Sequence, residues 1–504
     1  MHLYIRADAD SRIGTGHVMR CIALAQAWQD RGAKVAFLCH CESEALHRRI
    51  IDEGFDFIAV GNSHPDPSDL RQTLKELSVV GHQPSANCWL VLDGYHFTPE
   101  YQKAIRDAGI RLLVIDDLNH LSHYYADILL NQNIHAPDLK YQCDEDTVLL
   151  LGTRYVLLRR EFLRYRSFRR QIPRKAKNIL VSLGGGDLDN VTLKAIQALK
   201  YIEDPEIEAR VVVGPVNHNT EKLRKEIIHS PFAIRLLPNV NNMPELMAWA
   251  DLAISGGGST CWELAFMGLP SLVAILAENQ VELAVRLETK HAAVNIGWFH
   301  MFSSGQLFAK IDALMNDRNL RSSISDNASS LIDGEGIARV SDAMVGGQIT
   351  LRRATLDDCR LVWQWSNEKE TRQASFSQGL ISWEEHVQWF KDKLEDRDHF
   401  FFIASNGKKN PLGQLRFSVE EKKAVVSLSI AAESRNLGYG SEILRIGARK
   451  LFHETKVDEI IAFVKDENQI SLRTFQRAGF KKTKESITHG VKSYKLVLIR
   501  AELI

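Results

Sequence analysis

Two glycine-rich turns, each directly behind a short apolar run, constrain this chain more than any other feature. One is Gly256-Gly257-Gly258-Ser259-Thr260-Cys261-Trp262-Glu263-Leu264, which follows Asp251–Ser255. The other is Arg435-Asn436-Leu437-Gly438-Tyr439-Gly440, which follows Val425–Ile430. Each reads as strand, turn and helix N-terminus, a unit that aims backbone N–H groups and the positive end of a helix dipole at an anion. Two such units in separate segments imply two anionic ligands and two reactions on one chain.

With 504 residues, the chain is too long for a single hydrophobic core. Lys+Arg and Asp+Glu both number 63, so the formal charge is zero, which argues against nucleic acid as the main partner. The basic stretch Arg164–Arg174 is read as a solvated loop between domains. Seven scattered cysteines without a C-x-x-C pair give neither a disulfide framework nor a zinc site. Residues 2–7 already read as a strand, and no apolar run has membrane-spanning length, so the cytoplasm is the expected compartment.

From residue 2 to about 335, short apolar runs alternate with amphipathic stretches. Strands are expected at 3–6, 34–38, 89–92, 111–115, 178–182, 210–213, 251–254 and 271–275. Helical patterns lie between them at 18–30, 99–108, 190–200, 242–249 and 280–290. This alternation means parallel sheets with helices on both faces, broken once at 164–177. Two Rossmann-like domains result, 1–170 and 171–345, with ligands expected at the carboxyl ends of the strands. Beyond Val345–Gln348 the order changes to an α+β domain, 349–504. There Thr355 reads as an N-cap and Ser382-Trp-Glu-Glu385 as a capping box, and strands at 400–404, 412–418 and 424–430 form a meander.

Behind the first strand, Arg6-Ala-Asp8-Ala-Asp10 leads into Gly14-Thr-Gly16-His17-Val-Met-Arg20. Two glycines allow a tight turn near a ligand, and His17 then opens a helix at the mouth of the cleft, where a general base would stand. Asp8-x-Asp10 and Asp187-x-Asp189 have the form of metal-binding pairs. The pattern is very short, however, and loop capping is the reading adopted, with no metal. In the second domain, Ser182–Asp187, Gly256–Glu263 and Glu278-Asn279-Gln280 form three successive turns facing the ligand. N–H groups at Gly258, Ser259 and Thr260 suit a pyrophosphate, and Glu263 in the first helical turns suits both ribose hydroxyls. Together they describe a nucleoside diphosphate site.

Gly-Gly-x-Ser/Thr-x-x-Glu, then Gly268-x-Pro270 and Asn279-Gln280, resembles the UDP-sugar half of GT-B-fold glycosyltransferases. A more specific set is Arg6-Ala-Asp8, Ile13–Cys21, Asp93-x-Tyr95 and Gly184-Gly-x-Asp187. It resembles the UDP-sugar hydrolase family of pseudaminic acid biosynthesis, which releases 2,4-diacetamido-2,4,6-trideoxy-L-altrose from UDP. The resemblance covers residues 1–340 and implies metal-independent hydrolysis with inversion at the anomeric carbon, with His17 activating water. It further implies substrate contacts from Gly14, Gly16, Arg20, Asp93, Tyr95, Gly185, Asp187, Gly257, Asn279 and Gln280. UDP is a good leaving group, so one base and a dipole for the departing phosphate suffice.

Arg435-x-x-Gly438-x-Gly440, Asn468-x-x-Ser471 and Phe475-x-x-Ala478-Gly479-Phe480 resemble the GNAT acetyltransferase family. This implies acetyl-CoA as donor. Its contacts would come from Ile430, Arg435, Asn436, Leu437, Gly438, Tyr439, Gly440, Ser441, Asn468, Ser471 and Phe475. Phe475 stands where many members carry the tyrosine that protonates the thiolate. That role then falls to Ser471, Tyr494 or water, and Glu433 is the candidate base for the amine. Trp365-Ser-Asn367, Thr371-Arg372 and Glu385-His386-x-x-Trp389 resemble enzymes that acetylate the 4-amino group of UDP-4-amino-4,6-dideoxy-N-acetyl-β-L-altrosamine. A bifunctional enzyme acting on consecutive intermediates is the reading adopted. A GT-B glycosyltransferase fused to an acetyltransferase, the same two steps on a stereoisomeric precursor, and a non-catalytic half are the rivals.

Overall fold

The computed structural model describes residues 2–10, 13–78, 88–185, 187, 189–214, 217, 219–228, 230–238, 240–346, 349–377, 379–406, 410–435, 439–488 and 490–500. They divide into two units, Met1–Ser341 and Asp342–Ile504.

Runs of valine, leucine and isoleucine flanked by helices build two parallel sheets in the first unit. Strands β1 (His2–Ala7), β2 (Lys34–Cys39), β3 (Asp56–Ala59), β4 (Cys88–Asp93), β5 (Arg111–Ile115), β6 (Ile128–Asn131) and β7 (Val148–Leu151) lie in the order β3-β2-β1-β4-β5-β6-β7. The second sheet holds β8 (Asn178–Ser182), β9 (Glu208–Val213), β10 (Ala233–Pro238), β11 (Leu252–Gly256), β12 (Ser271–Ile275) and β13 (Val294–Trp298), ordered β10-β9-β8-β11-β12-β13. Both sheets reverse direction next to their first strand, the doubly wound order that opens a crevice at the carboxyl ends. Burial on both faces explains the unbroken apolar runs. Ile179, Val181, Leu252 and Ile254 pack one way, with Ala195, Leu199 and Ile311. Their neighbours Leu180, Ala253 and Val273 pack the other way, with Trp262, Leu264 and Leu283.

Comparison of register shows where sequence patterning succeeded. Strands at 111–115, 178–182 and 271–275 match β5, β8 and β12 to the residue. The structure adds β3, β6, β7, β10 and β13, which sequence patterning did not identify. It also adds helices at Glu44–Asp52, Pro67–Ser78, Thr220–Ile227, Ser304–Asn316 and Arg318–Leu331.

The second unit is α+β, with strands β14 (Thr350–Arg353), β15 (His399–Ser405), β16 (Pro411–Glu420), β17 (Lys423–Ile430), β18 (Glu459–Lys465), β19 (Lys481–Thr488) and β20 (Val491–Ile499). Their order is β14-β15-β16-β17-β18-β20-β19. Strands β14 to β17 form an antiparallel meander, and β17 then meets β18 in parallel. That parallel pairing runs only from Lys423 opposite Glu459 to Val425 opposite Ile461. Beyond it Val426–Ile430 stay paired to β16 alone, so the two central strands splay apart. Thr355 is an N-cap as expected and forms a capping box with Asp358, and the expected capping box of Ser382 with Glu385 forms too.

Candidate active sites

In the first unit the two crevices face one another and enclose a cavity of about 370 Å³. Its size lies within the usual range for small-molecule sites. The loop after β1 forms one wall. It turns at Gly14, whose φ of +76° only glycine adopts without strain, and enters the helix Gly16–Gln29 with His17 in its first turn. Asp8 and Asp10 of this loop act on protein donors. Asp8 is clamped by Arg6 and accepts from His40 N–H at 2.8 Å, while Asp10 Oδ1 accepts from Ile13 N–H at 2.6 Å.

His17 is 9% exposed, on the cavity wall. Its Nδ1 lies 2.6 Å from Asp93 Oδ1, at the end of β4. Arg20, one helical turn on, donates to both oxygens of Asp93 at 2.7 Å and to Asp117 at 2.9 Å. Burial alone would raise the Asp93 carboxyl, but the Arg20 charge and the hydrogen bonds from Arg20 and His17 hold it well below the usual range. An ionised carboxylate only accepts, so Nδ1 carries the proton and donates it to Asp93. Nε2 is left as the lone-pair nitrogen, without a partner among the described residues.

Tyr95 packs edge-on against His17 at 4.8 Å. Its hydroxyl donates to Asp117 at 2.7 Å and accepts from Asn279 of the opposite wall at 2.9 Å. Burial and the Asp117 charge push that phenol far above its ordinary pKa, so it stays protonated.

The opposite wall is the second domain. Glu263 Oε1 accepts from Arg159 Nη2 at 2.9 Å and Nε at 3.2 Å. Burial raises the Glu263 carboxyl, against the pull of Arg159. Gly258, Ser259 and Thr260 open the helix Thr260–Phe266, and no acceptor lies on their N–H groups among the described residues. Gly185 meets the first domain so closely that a Cβ there would sit 2.3 Å from Thr15 Oγ1.

Several expected ligand groups are used differently. Gly257 N–H already donates to Ala274 O at 2.9 Å and Gln280 Oε1 at 3.0 Å, so it is not open to a phosphate, and Gln280 Oε1 holds the turn by also accepting from Leu276 N–H. Asp187, at φ +47°, accepts from Val191 and Thr192 N–H and caps the helix Val191–Leu199 instead of lining the cavity. Arg20 has both ends on carboxylates and serves as a positioning group. Sequence reasoning missed Asp117, Asn133 and Arg159, all on the cavity wall. Asp117 and Asn133 stand just past the ends of β5 and β6, which was the available signal; Arg159 lies in an irregular segment that carries none.

In the second unit the splayed edge of β17 ends at Ile430, followed by the turn Ala432–Ser434 and the helix Tyr439–Glu454. Asn436, Leu437 and Gly438, and the side chain of Glu433, lie outside the described residues. Arg435 points away from a ligand role. It donates to Ile430 O at 3.0 Å and to Glu370 at 2.7 Å, and it pairs with Glu368. Tyr439 and Ser441 are buried in the helix, and a Cβ on Gly440 would meet Thr474 at 2.9 Å. Asn468 accepts from Ser471 N–H at 3.0 Å and caps the helix Gln469–Arg477. Phe475 is buried edge-on to Phe480 at 5.1 Å. The hydroxyl of Tyr494 bonds Asp466, which raises its pKa and opposes a role as acid. Trp365 is core with Phe390 and Phe401, His386 meets Cys359 O at 3.0 Å, and Asn367 holds Ile381 through both its amide atoms.

Among the described residues, no cluster of three or more His, Cys, Asp or Glu side chains could hold a metal, and no helix is long and apolar enough to cross a membrane.

Residues 180–338 match the glycosyltransferase family 28 C-terminal domain, and residues 348–481 match the acetyltransferase (GNAT) domain. An uncharacterized protein of Methanocaldococcus jannaschii is 24% identical over 96% of this chain and 98% of its own length. Spore coat polysaccharide biosynthesis protein SpsG of Bacillus subtilis is 26% identical over 68% of this chain and 97% of its own. The UDP-2,4-diacetamido-2,4,6-trideoxy-beta-L-altropyranose hydrolase of Campylobacter jejuni is 25% identical over 58% of this chain and 97% of its own. The chain thus joins a segment, residues 180–338, that matches the glycosyltransferase family 28 C-terminal domain to a segment, residues 348–481, that matches the GNAT acetyltransferase domain.

Proposed function

We propose that this chain performs two consecutive steps on one nucleotide sugar in the cytoplasm. The second unit transfers acetyl from acetyl-CoA to the 4-amino group of UDP-4-amino-4,6-dideoxy-N-acetyl-β-L-altrosamine. The first unit hydrolyses the product, UDP-2,4-diacetamido-2,4,6-trideoxy-β-L-altropyranose, to UDP and the free sugar. The observation that carries the hydrolase reading is His17, whose Nδ1 is held by Asp93 while Nε2 has no partner among the described residues on the cavity wall.

In the hydrolysis, Nε2 takes a proton from water as its oxygen bonds the anomeric carbon and the bond from that carbon to the UDP oxygen breaks. Attack from the face opposite UDP inverts the configuration. The N–H groups of Gly258, Ser259 and Thr260 would receive the diphosphate as its charge develops, with Glu263 on the ribose. Tyr95 and Asn279, joined across the cavity, suit the sugar's polar groups.

In the acetyl transfer, acetyl-CoA supplies the activated thioester and leaves as coenzyme A, and its fit rests on the backbone edge of Val426–Ile430, open beyond the β17–β18 pairing. That edge suits the amide groups of pantetheine. Asn436–Ser441 are the candidate diphosphate loop, Ser471 is the candidate acid and Glu433 the candidate base.

The test is proton NMR of purified protein with the UDP-linked 4-amino sugar, with and without acetyl-CoA. N-acetylated free sugar plus UDP, formed only when acetyl-CoA is present, is the expected result. Accumulation of acetylated UDP-sugar would overturn hydrolysis and point to sugar transfer onto a missing acceptor. The glycosyltransferase family 28 match keeps that second reading in view.

A further inference from the structure

Two consecutive aspartates follow β5, and both reach Tyr95. Asp117 accepts from the Tyr95 hydroxyl at 2.7 Å. Asp116 meets the other end of the residue through His120. His120 Nε2 donates to the Tyr95 carbonyl at 3.0 Å, and its Nδ1 faces Asp116 Oδ1 at 3.6 Å. The Tyr95 and His120 rings also stand edge to face, their centres 6.2 Å apart. Tyr95 rests in turn against His17, so His120 fastens the backbone that carries this ring onto the proposed base. His120 is not among the residues lining the cavity and acts through Tyr95 alone.

Asp116 is 3% exposed, and most of its partners are neutral. Its Oδ2 accepts from Asn119 N–H at 2.7 Å and from the Tyr141 hydroxyl at 2.8 Å, and Oδ1 accepts from the Tyr124 hydroxyl at 3.0 Å. Burial and the Asp116 charge raise both phenols and keep their protons in place. Burial alone would raise the Asp116 carboxyl too, yet His120, the Asn119 N–H and the phenols hold it below its usual range. Among the described residues no lysine or arginine pairs with Asp116, so the countercharge falls to His120. A carbonyl and a carboxylate only accept, and a ring that serves both needs a proton on each nitrogen. The Asp116 contact, against burial, and then the Tyr95 carbonyl raise the His120 pKa. The side chain is 35% exposed, which leaves its proton open to exchange with water.

We infer that protonated His120 is a positioning residue for the hydrolysis, tying the Tyr95 backbone to Asp116 and so holding the phenol against His17. When the proton leaves, one nitrogen keeps its hydrogen and the other turns a lone pair toward an oxygen. One of the two ties is then lost. With the folded pKa raised, the link is fully present below the ordinary histidine value of 6.5 and is lost as pH rises through the higher folded value. Acid favours this clasp while it disables His17 as a base, so the two histidines bound activity from opposite sides. The inference rests on the hydrolase reading above and adds the residue that limits it in alkali.

The test is UDP release from the acetylated UDP-sugar by the full chain across pH, without acetyl-CoA. Wild-type kcat/KM should fall about three- to tenfold on the alkaline side, the loss expected for one hydrogen bond. His120→Arg keeps its charge and offers a fork to both oxygens, so it should retain activity in alkali. His120→Gln should show the low alkaline level on the whole plateau, with UDP affinity unchanged. An alkaline decline that persists in both variants, or a wild type without one, overturns the inference. If His120→Gln fails to fold, His120→Arg decides. Fluorine NMR of fluorotyrosine-labelled protein reads the link without turnover. The Tyr95 signal, assigned by its loss in Tyr95→Phe, should shift through the alkaline midpoint in the wild type and stay fixed in His120→Arg. A signal that titrates alike in both overturns the inference, whereas failure to release UDP at any pH overturns the hydrolase reading instead.

Discussion

His17 depends on Asp93 for its tautomer, and Asp93 depends on Arg20 for its charge. Replacing Asp93 by Asn keeps the shape but offers an amide N–H to Nδ1, which then accepts and moves the proton to Nε2. Asp93→Asn should therefore lower kcat for UDP-sugar hydrolysis by about 10²–10⁴ while UDP still binds. Steady-state kinetics alongside a UDP titration check this, and an unchanged kcat would remove His17 as the base. Glu263 gives a second prediction, of pH dependence. Its carboxyl is raised by burial despite Arg159, so it takes up a proton at a higher pH than an ordinary glutamate near 4.3. A protonated Glu263 accepts ribose hydroxyls poorly. UDP affinity should fall on acidification from a pH above that value, and Glu263→Gln should bind weakly at every pH with this dependence gone. His17 and Glu263 were legible because each opens a helix behind an apolar strand. Arg159 was not, since its partner Glu263 is 104 positions away, and the Arg20–Asp117 pair spans 97.

At the scale of elements, the cleft depends on one close approach between the turn after β8 and the loop after β1. An alanine at Gly185 would place its Cβ 2.3 Å from Thr15 Oγ1 and 3.0 Å from Cγ2. Neither neighbour is the end of a long flexible chain, so the two turns must part. Gly185→Ala should lower kcat/KM for hydrolysis about tenfold or more, since small misplacements of a catalytic group cost this much. Adding Thr15→Ala should recover part of the loss, because that hydroxyl caps no helix N–H here. An additive decline in the double variant would rule out the steric cause. The same scale explains which strands patterning found. The missed strands β3, β7, β10 and β13 are the edges of their sheets, where one side is open and the apolar run shortens. Edge strand β3 has no fully buried residue, and β10 has one. The inner strand β6 is buried throughout but has only 4 residues, too few to separate from a helix fragment by period. Asp187 was a substrate contact only by the family resemblance; the capping role read from the residues is the one it takes, because the helix start four residues on needs an acceptor.

For the whole molecule, the two glycine-rich turns foretold two ligands, and each unit has its own buried core to support its own site. Side-chain roles around coenzyme A were less legible, because Arg435 and Asn468 satisfy the motif while bonding to protein. Separate cores and separate ligands lead to a thermodynamic prediction. A ligand that binds only the folded form stabilises its unit by about 2.7 kcal/mol at a hundredfold excess over Kd. For a unit of the second one's size this raises Tm by roughly 5–10 °C. Scanning calorimetry should resolve two transitions, with CoA raising one and UDP the other. Gly185→Ala should blunt only the shift caused by UDP. If both ligands move a single transition together, the units do not unfold independently, and substitutions in one unit must then be checked for loss of stability in the other before any rate is interpreted.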